Sequence, residues 1–258
     1  MLHYETYLTE PQGKIKKRNN KKMKLNNGIR LTWLGHSTFK IETDGQTLLI
    51  DPWVTNNPVC PDALKTFDRL DAILITHGHA DHISDAVPLA KKHTPTVVSI
   101  VEIAGWLGNQ GVENTIGMNK GGTVTVGGVK ATMVSANHSS SFTEADGTTV
   151  YLGEPAGYII EFGNGYKIYH AGDTNVFGDM RIIGEIYQPD LALLPIGDHF
   201  TMGPREAAYA AQLLNVPAIL PIHYGTFPLL TGTPEELRQL TASQNVEIIS
   251  LSVGETLA

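Results

Sequence analysis

The amino-acid sequence predicts an α/β fold, and three observations carry that prediction. Short apolar runs rich in β-branched residues each end in a polar loop, and helical stretches lie between them. One such run, Ala72-Ile73-Leu74-Ile75, hands over to a histidine-rich loop and then to a helix start at Ser84-Asp85. The composition also permits a large core. Of 258 residues, 41% are hydrophobic and 17% charged, which suits an ordered chain and not a disordered one.

The elements follow in order. Residues 29–34 alternate as a strand that Gly35 stops. Thr38–Thr43 and Gln46–Ile50 form a hairpin, because Asp44-Gly45 suits the left-handed turn between them. Asp51-Pro52-Trp53 ends the third strand, and residues 64–70 make a short, partly helical connector. The strand at 72–75 precedes the histidine loop, and residues 86–92 carry helical spacing. Thr96–Ile100 reads as a strand, with a helix over 102–109. Gly121-Gly122 and Gly127-Gly128 punctuate two strands, Thr123–Val126 and Val129–Ser135. Residues 139–156 form a polar loop long enough to be functional. A hairpin spans 157–162 and 166–170 around Gly163-Asn164-Gly165. Met180–Tyr187 is helical, and a strand at 191–194 ends in the loop 197–203. Pro204 opens the next helix, 205–215, where its missing N–H costs nothing. Ala218–Ile222 is a strand ending at His223, followed by a helix at 234–243 and a strand at 246–251.

Charge is unevenly spread. The net charge is -7, yet residues 1–24 carry seven Lys/Arg and two acids, leaving 12 basic and 24 acidic residues in the rest. The acidic body argues against nucleic acid as a partner. The basic segment reads as a solvated, mobile tail, with residues 25–258 as the functional domain. No apolar stretch approaches the roughly 18 residues of a membrane span, and none follows the basic run as a secretory signal would. Cys60 is the single cysteine, so no disulfide forms within the chain. That fits a reducing, cytoplasmic compartment, with Cys60 as an inert thiol beside Pro58 and Pro61.

The chemistry concentrates in Thr76-His77-Gly78-His79-Ala80-Asp81-His82-Ile83. Three imidazoles and a carboxylate stand at the carboxyl end of a strand, where open α/β sheets place their sites. Residues two apart in an extended segment point the same way, so His77 and His79 can face one ion while Asp81 and His82 face another. His138, Asp173 and His223 also follow predicted strands.

Thr76-His77-Gly78-His79-Ala80-Asp81-His82 resembles the H-x-H-x-D-H signature of the metallo-β-lactamase superfamily. Further matching stretches are Trp33-Leu34-Gly35-His36-Ser37-Thr38-Phe39, Ile50-Asp51-Pro52-Trp53, Ala136-Asn137-His138-Ser139, His170-Ala171-Gly172-Asp173-Thr174 and Pro221-Ile222-His223-Tyr224-Gly225. The wider pattern is similar to the lactonase-like branch of metal-dependent hydrolases. The resemblance implies a four-layer αβ/βα sandwich with a dinuclear metal site. It implies His77, His79 and His138 on a first ion, Asp81, His82 and His223 on a second, and Asp173 bridging. The cofactors would be two divalent ions, Zn2+ or alternatively Mn2+. Two such ions about 3.5–4 Å apart can acidify a shared water to a pKa of about 7, giving a bridging hydroxide as nucleophile.

On this basis Asp81 and Asp173 would orient the water and move its proton. His36 and His199, each in a glycine-flanked loop after a strand, would serve as substrate-facing donors or general acids. Asp51 is the best partner for a ligand histidine from behind, and Trp53, Phe200 and Tyr224 are candidates to line the pocket. Asp198 departs from the branch's pattern. The implied substrate is a small molecule, an ester or lactone such as a sugar-phosphate lactone. A phosphodiesterase, an iron-dependent oxygenase and a non-catalytic metal-binding protein are the alternatives. Iron–oxygen reductases of this fold carry Glu where His79 stands, which favours a hydrolase. Lack of a secretion signal disfavours β-lactam hydrolysis. A homo-oligomer is compatible with the sequence.

Overall fold

Backbone pairing sorts the β-branched runs into two sheets of seven strands and one small hairpin in a computed structural model that describes Leu25 and residues 28–258. The expected basic tail, residues 1–24, lies outside the described residues. The first sheet begins with an antiparallel meander of β1 (Arg30–Gly35), β2 (Thr38–Thr43) and β3 (Gln46–Ile50). Its tight turn is Asp44-Gly45, with φ of 47° and 74°, the left-handed pair that a two-residue hairpin needs. Parallel strands β4 (Ala72–Leu74), β5 (Thr96–Ile100) and β6 (Thr115–Met118) extend it. Parallel neighbours require crossovers. The crossover from β3 to β4 is the segment 51–71, and the next two are α1 (Ala80–Ile83) with α2 (Ala86–His93), and then α3 (Val101–Asn109).

The second sheet pairs β7 (Thr123–Val126) with β8 (Val129–Ser135). After the small hairpin of β9 (Ser141–Thr143) and β10 (Thr149–Tyr151), it continues with β11 (Ala156–Glu161) and β12 (Lys167–His170). It then alternates α4 (Met180–Tyr187), β13 (Leu191–Pro195), α5 (Pro204–Leu214), β14 (Ala218–Ile222), α6 (Pro234–Leu240) and β15 (Glu247–Ile248), these strands running parallel. Finally β16 (Thr256–Leu257) returns to pair with β1.

Side-chain alternation sets the layers. Tyr158 and Ile160, Leu191 and Leu193, and Leu220 face one core, which they share with Leu48, Ile73 and Val98 of the first sheet and Ile103 and Leu107 of α3. Their neighbours Ile159, Ala192, Leu194 and Ile219 face a second core against Met180 and Ile183 of α4, Ala207 and Ala211 of α5 and Leu237 of α6. The result is the expected αβ/βα sandwich. Tyr158 is fully buried, and its hydroxyl donates to the Ile75 carbonyl at 3.0 Å, joining the sheets directly beneath the histidine loop. Burying such a ring stabilises the fold by about 1.5–3 kcal/mol.

Several elements differ from the sequence expectation. The loop 139–156 contains the β9–β10 hairpin. Of the connector before β4, only Asp62–Leu64 is helical. The expected strand at 246–251 shrinks to Glu247–Ile248, and α6 stops at Leu240, where the Thr241 hydroxyl donates back to the Leu237 carbonyl. Among the described residues no helix is long and apolar enough to cross a membrane.

Candidate metal centre

Strand direction brings the site together. In the first sheet β1, β3 and β4 run the same way, and in the second β8, β12, β13 and β14 do. Their carboxyl ends deliver His36, Asp51, His77, His138, Asp173 and His223 to one edge. His36, Asp51 and His223 hold positive φ of 56°, 48° and 56°. For residues with a Cβ this costs about 1–3 kcal/mol each and needs outside support. That support is visible: Asp51 N–H donates to the Leu74 carbonyl at 3.0 Å, and His223 N–H to the His36 carbonyl at 3.1 Å. Gly197 permits the close passage of the His223 turn, because a Cβ there would collide with the His223 carbonyl.

The donors form two groups. The ring nitrogens of His77, His79 and His138 lie within 4.8 Å of one another, and so do the donor atoms of His36, Asp81, His82 and His223. Asp173 Oδ2 sits between the groups. It is 2.9 Å from His223 Nε2, 3.3 Å from His82 Nε2, 3.6 Å from His138 Nε2 and 3.9 Å from His77 Nε2. His82 Nε2, both ring nitrogens of His223 and Asp173 Oδ1 are buried without a hydrogen bond. Unpaired buried polar atoms are costly. Imidazole nitrogens and a carboxylate converging in this way match the donor set of a divalent ion, so the residues present fit such a group.

The outer partners determine which nitrogen each ring offers. Asp51 Oδ1 accepts from Thr76 N–H at 2.8 Å. Asp51 Oδ2 accepts from the Thr76 hydroxyl at 2.7 Å and from His82 Nδ1–H at 2.8 Å. With its hydrogen spent on Asp51, the Thr76 hydroxyl accepts from His77 Nδ1–H at 3.0 Å. One buried carboxylate therefore fixes two rings with Nε2 turned inward, one directly and one through Thr76. Ser139 Oγ stands 3.2 Å from His79 Nε2, leaving His79 Nδ1 toward His77 Nε2 at 3.0 Å. His170 is structural: its Nε2–H donates to the Ser37 carbonyl, and its Nδ1 accepts Gly172 N–H.

Comparison with known proteins bears on this geometry. The family model described as "Beta-lactamase superfamily domain" matches residues 46–224. A UPF0173 metal-dependent hydrolase of Rubrobacter xylanophilus is 54% identical over 222 residues, covering 86% of this chain and 92% of that protein. The chain belongs to the beta-lactamase superfamily, among its UPF0173 metal-dependent hydrolases. A second UPF0173 hydrolase, from Koribacter versatilis, is 52% identical over 89% of this chain and 97% of its own length. Among solved structures, Igni18, a metallo hydrolase of the archaeon Ignicoccus hospitalis, superposes with a TM-score of 0.77. It is 39% identical and aligns over 88% of this chain and 97% of that one. The protein is a metal-dependent hydrolase with a cluster of histidines and aspartates able to bind metal.

The hydrolase sets its charges unevenly. Burial, and then His82, hold the His77 pKa well below the ordinary imidazole value. Burial also lowers His79 and His138. His82 is the exception: burial opposes its charge, but Asp173 and Asp51 prevail and raise it well above that value. Burial likewise opposes the Asp173 carboxylate, yet His223 and His82 hold it well below the usual range. Asp81 is lowered too, as the His36 hydrogen bond and His82 outweigh its burial. Burial pushes the Cys60 thiol up to about 11, consistent with an inert residue.

Two expected substrate-facing residues part company. His36 is fully buried behind Asp81 and does not face the substrate as the sequence suggested. Its Nε2 lies 3.1 Å from Asp81 Oδ2, its Nδ1 lies 3.0 Å from Thr226 Oγ1, and burial followed by His223 lowers its pKa to about 4. His199 is exposed at the corner after β13, where Asp198 and His199 hold φ of 65° and 54° and the His199 ring meets Phe200 at 4.4 Å. Of the expected pocket aromatics, Trp53 packs edge-on to His36, Phe200 is exposed, and Tyr224 packs tilted against Trp33 at 5.3 Å. Thr226, Ser139 and Phe227 were not singled out by the sequence as parts of the site. Neither was Thr76 as the link from Asp51 to His77. Lone hydroxyls and single rings carry no spacing signal.

Proposed function

We propose that this hydrolase uses two divalent ions, most simply zinc, to hydrolyse a small ester or lactone. His77, His79 and His138 would hold one ion, Asp81, His82 and His223 the other, with Asp173 shared. The observation that supports this is Asp173 Oδ2, which lies within 3.9 Å of ring nitrogens from both groups while Oδ1 remains buried and unpaired. When bound, such ions acidify a shared water and polarise a substrate carbonyl oxygen. The chain's own residues do the rest. Asp81 and Asp173, both held ionised, only accept hydrogen bonds, so they orient a water's hydrogens. His199, exposed in the loop after β13, would donate to the departing oxygen. Asp51 and Thr76 keep the ligand rings in one tautomer. Residues from 25 onward act as one domain, and the single buried Cys60 suits a reducing, cytoplasmic setting.

The test is the metal content of protein purified without chelator, paired with turnover of p-nitrophenyl acetate, a γ-lactone and bis(p-nitrophenyl) phosphate. Two equivalents of zinc or manganese with ester or lactone turnover are expected. Preferential phosphodiester turnover would reassign the substrate class. One equivalent of iron without hydrolysis would overturn the proposal.

A further inference from the structure

We propose that His36 is a positioning residue: a buried ring, oriented by Thr226, that holds the Asp81 carboxylate in place for the second ion. This rests on the dinuclear reading above, in which Asp81 is a ligand.

His36 is held from every side. Its carbonyl accepts both Trp33 Nε1–H at 3.0 Å and His223 N–H at 3.1 Å, which fixes its main chain between the ends of β1 and β14. Its ring is flanked edge-on by Trp53 and Phe227, with centroids 5.2 Å and 5.7 Å away, and lies 3.9 Å from the His223 ring. Asp81, by contrast, sits on the four-residue helix α1, and its side chain is 29% exposed. Among the described residues His36 is the one side chain that hydrogen-bonds the Asp81 carboxylate. The polarity of the chain is fixed by its end. An ionised carboxylate only accepts, so His36 Nε2 carries the hydrogen, and its Nδ1 accepts from the Thr226 hydroxyl. Thr226 is itself buried, so the hydroxyl has one productive orientation. The direction of Asp81 is thus decided by a residue from the β14 loop, through a ring from the β1 loop. The competing role for His36 is direct ligation, since its nitrogen lies within 4.8 Å of the donor atoms of Asp81, His82 and His223.

Stepwise Co2+ titration of the chelator-stripped full chain, read by calorimetry and visible absorption and paired with thermal melts, separates these roles. Wild type is expected to take up two ions, the second step being the one that Asp81→Asn abolishes, whatever its order in the titration. Thr226→Val weakens the second step about tenfold and leaves the first step and the melting temperature near wild type, while Thr226→Ser recovers most of the loss. His36→Gln weakens the second step about 10–100-fold yet still takes up a second equivalent, whereas Asp81→Asn loses it. Second-step affinities equal to wild type in Thr226→Val and His36→Gln would overturn the proposal. Complete loss of the second equivalent in His36→Gln would overturn it in favour of ligation. Should His36→Gln fail to melt cooperatively, Thr226→Val against Thr226→Ser decides alone. A wild-type protein that binds one ion overturns the dinuclear reading, a result distinct from two normal steps that the variants do not alter.

Discussion

The two donor groups of the centre are built on opposite electrostatic plans. His77, His79 and His138 are all imidazoles, all with lowered pKa, and two of the three are half-exposed. Two of these rings are steadied by hydroxyls, from Thr76 and Ser139. The other group mixes the Asp81 carboxylate with fully buried His82 and nearly buried His223, and is steadied by the Asp51 carboxylate and the His36 ring. A neutral, partly open set binds an ion through lone pairs alone. A set that includes a carboxylate adds direct charge attraction. Asp173 Oδ2 lies between the two, within 3.9 Å of ring nitrogens from each.

Removing what the groups share is the harshest way to break this contrast. Asp173→Ala is expected to lower kcat/KM about 10³-fold or more and to reduce metal content at both positions, because several kcal/mol of charge stabilisation go with it. Full activity with two ions would show that the groups act independently. Asp51→Asn comes next. It serves His82 directly and His77 through Thr76, so both binding steps should weaken, by about 10–100-fold, while Thr76→Val should weaken only the step that involves His77. Metal titration of the two variants side by side checks this.

Protonation offers a subtler probe. In chelator-stripped protein, nitrogen-detected NMR should find His77, His79 and His138 neutral at pH 6.5 and His82 still protonated at that pH. The signs are opposite. Rings with lowered pKa leave the unfolded chain binding more protons, so their contribution to stability falls as pH drops below 6.5. His82, raised, contributes fully below 6.5 and loses that contribution as pH rises through its folded value. A single common titration for all four rings would erase the distinction. The mildest change is Ser139→Ala. It removes an exposed contact to His79 and should weaken the first step only severalfold, in keeping with about 0.5–1.5 kcal/mol per hydrogen bond.

Much of this was legible in the sequence where the signal is local. Thr96–Ile100, Val129–Ser135, Met180–Tyr187 and Ala218–Ile222 form as their periodicity predicts, and the Asp44-Gly45 turn sets its own register. Strands β6 and β16 were not legible. Thr115–Met118 carries Gly117 inside it, and Thr256–Leu257 is a strand only because β1 offers an edge. The side chains that the structure brings to this edge stand after strands or in the loop and short helix after β4, and that placement was legible. The direction of His36 was not, since its burial depends on Trp53 and on the neighbouring Thr226 and Phe227, all of them distant from His36 in the chain. A residue type announces chemistry, but only tertiary packing decides which way the side chain faces.

The antiparallel pairing of Leu31 with Leu257 and Thr32 with Thr256 has a consequence for biosynthesis. The ribosome delivers His77 to His82 early, His138 and Asp173 midway, His223 late, and the strand that covers the β1 edge later still. A nascent chain stalled before residue 223 would carry six of the seven donor side chains, an uncapped sheet edge and no partner for the His36 carbonyl from the β14 turn. Completion of the group that contains His223 therefore waits for translation of that turn, and covering of the β1 edge waits for β16.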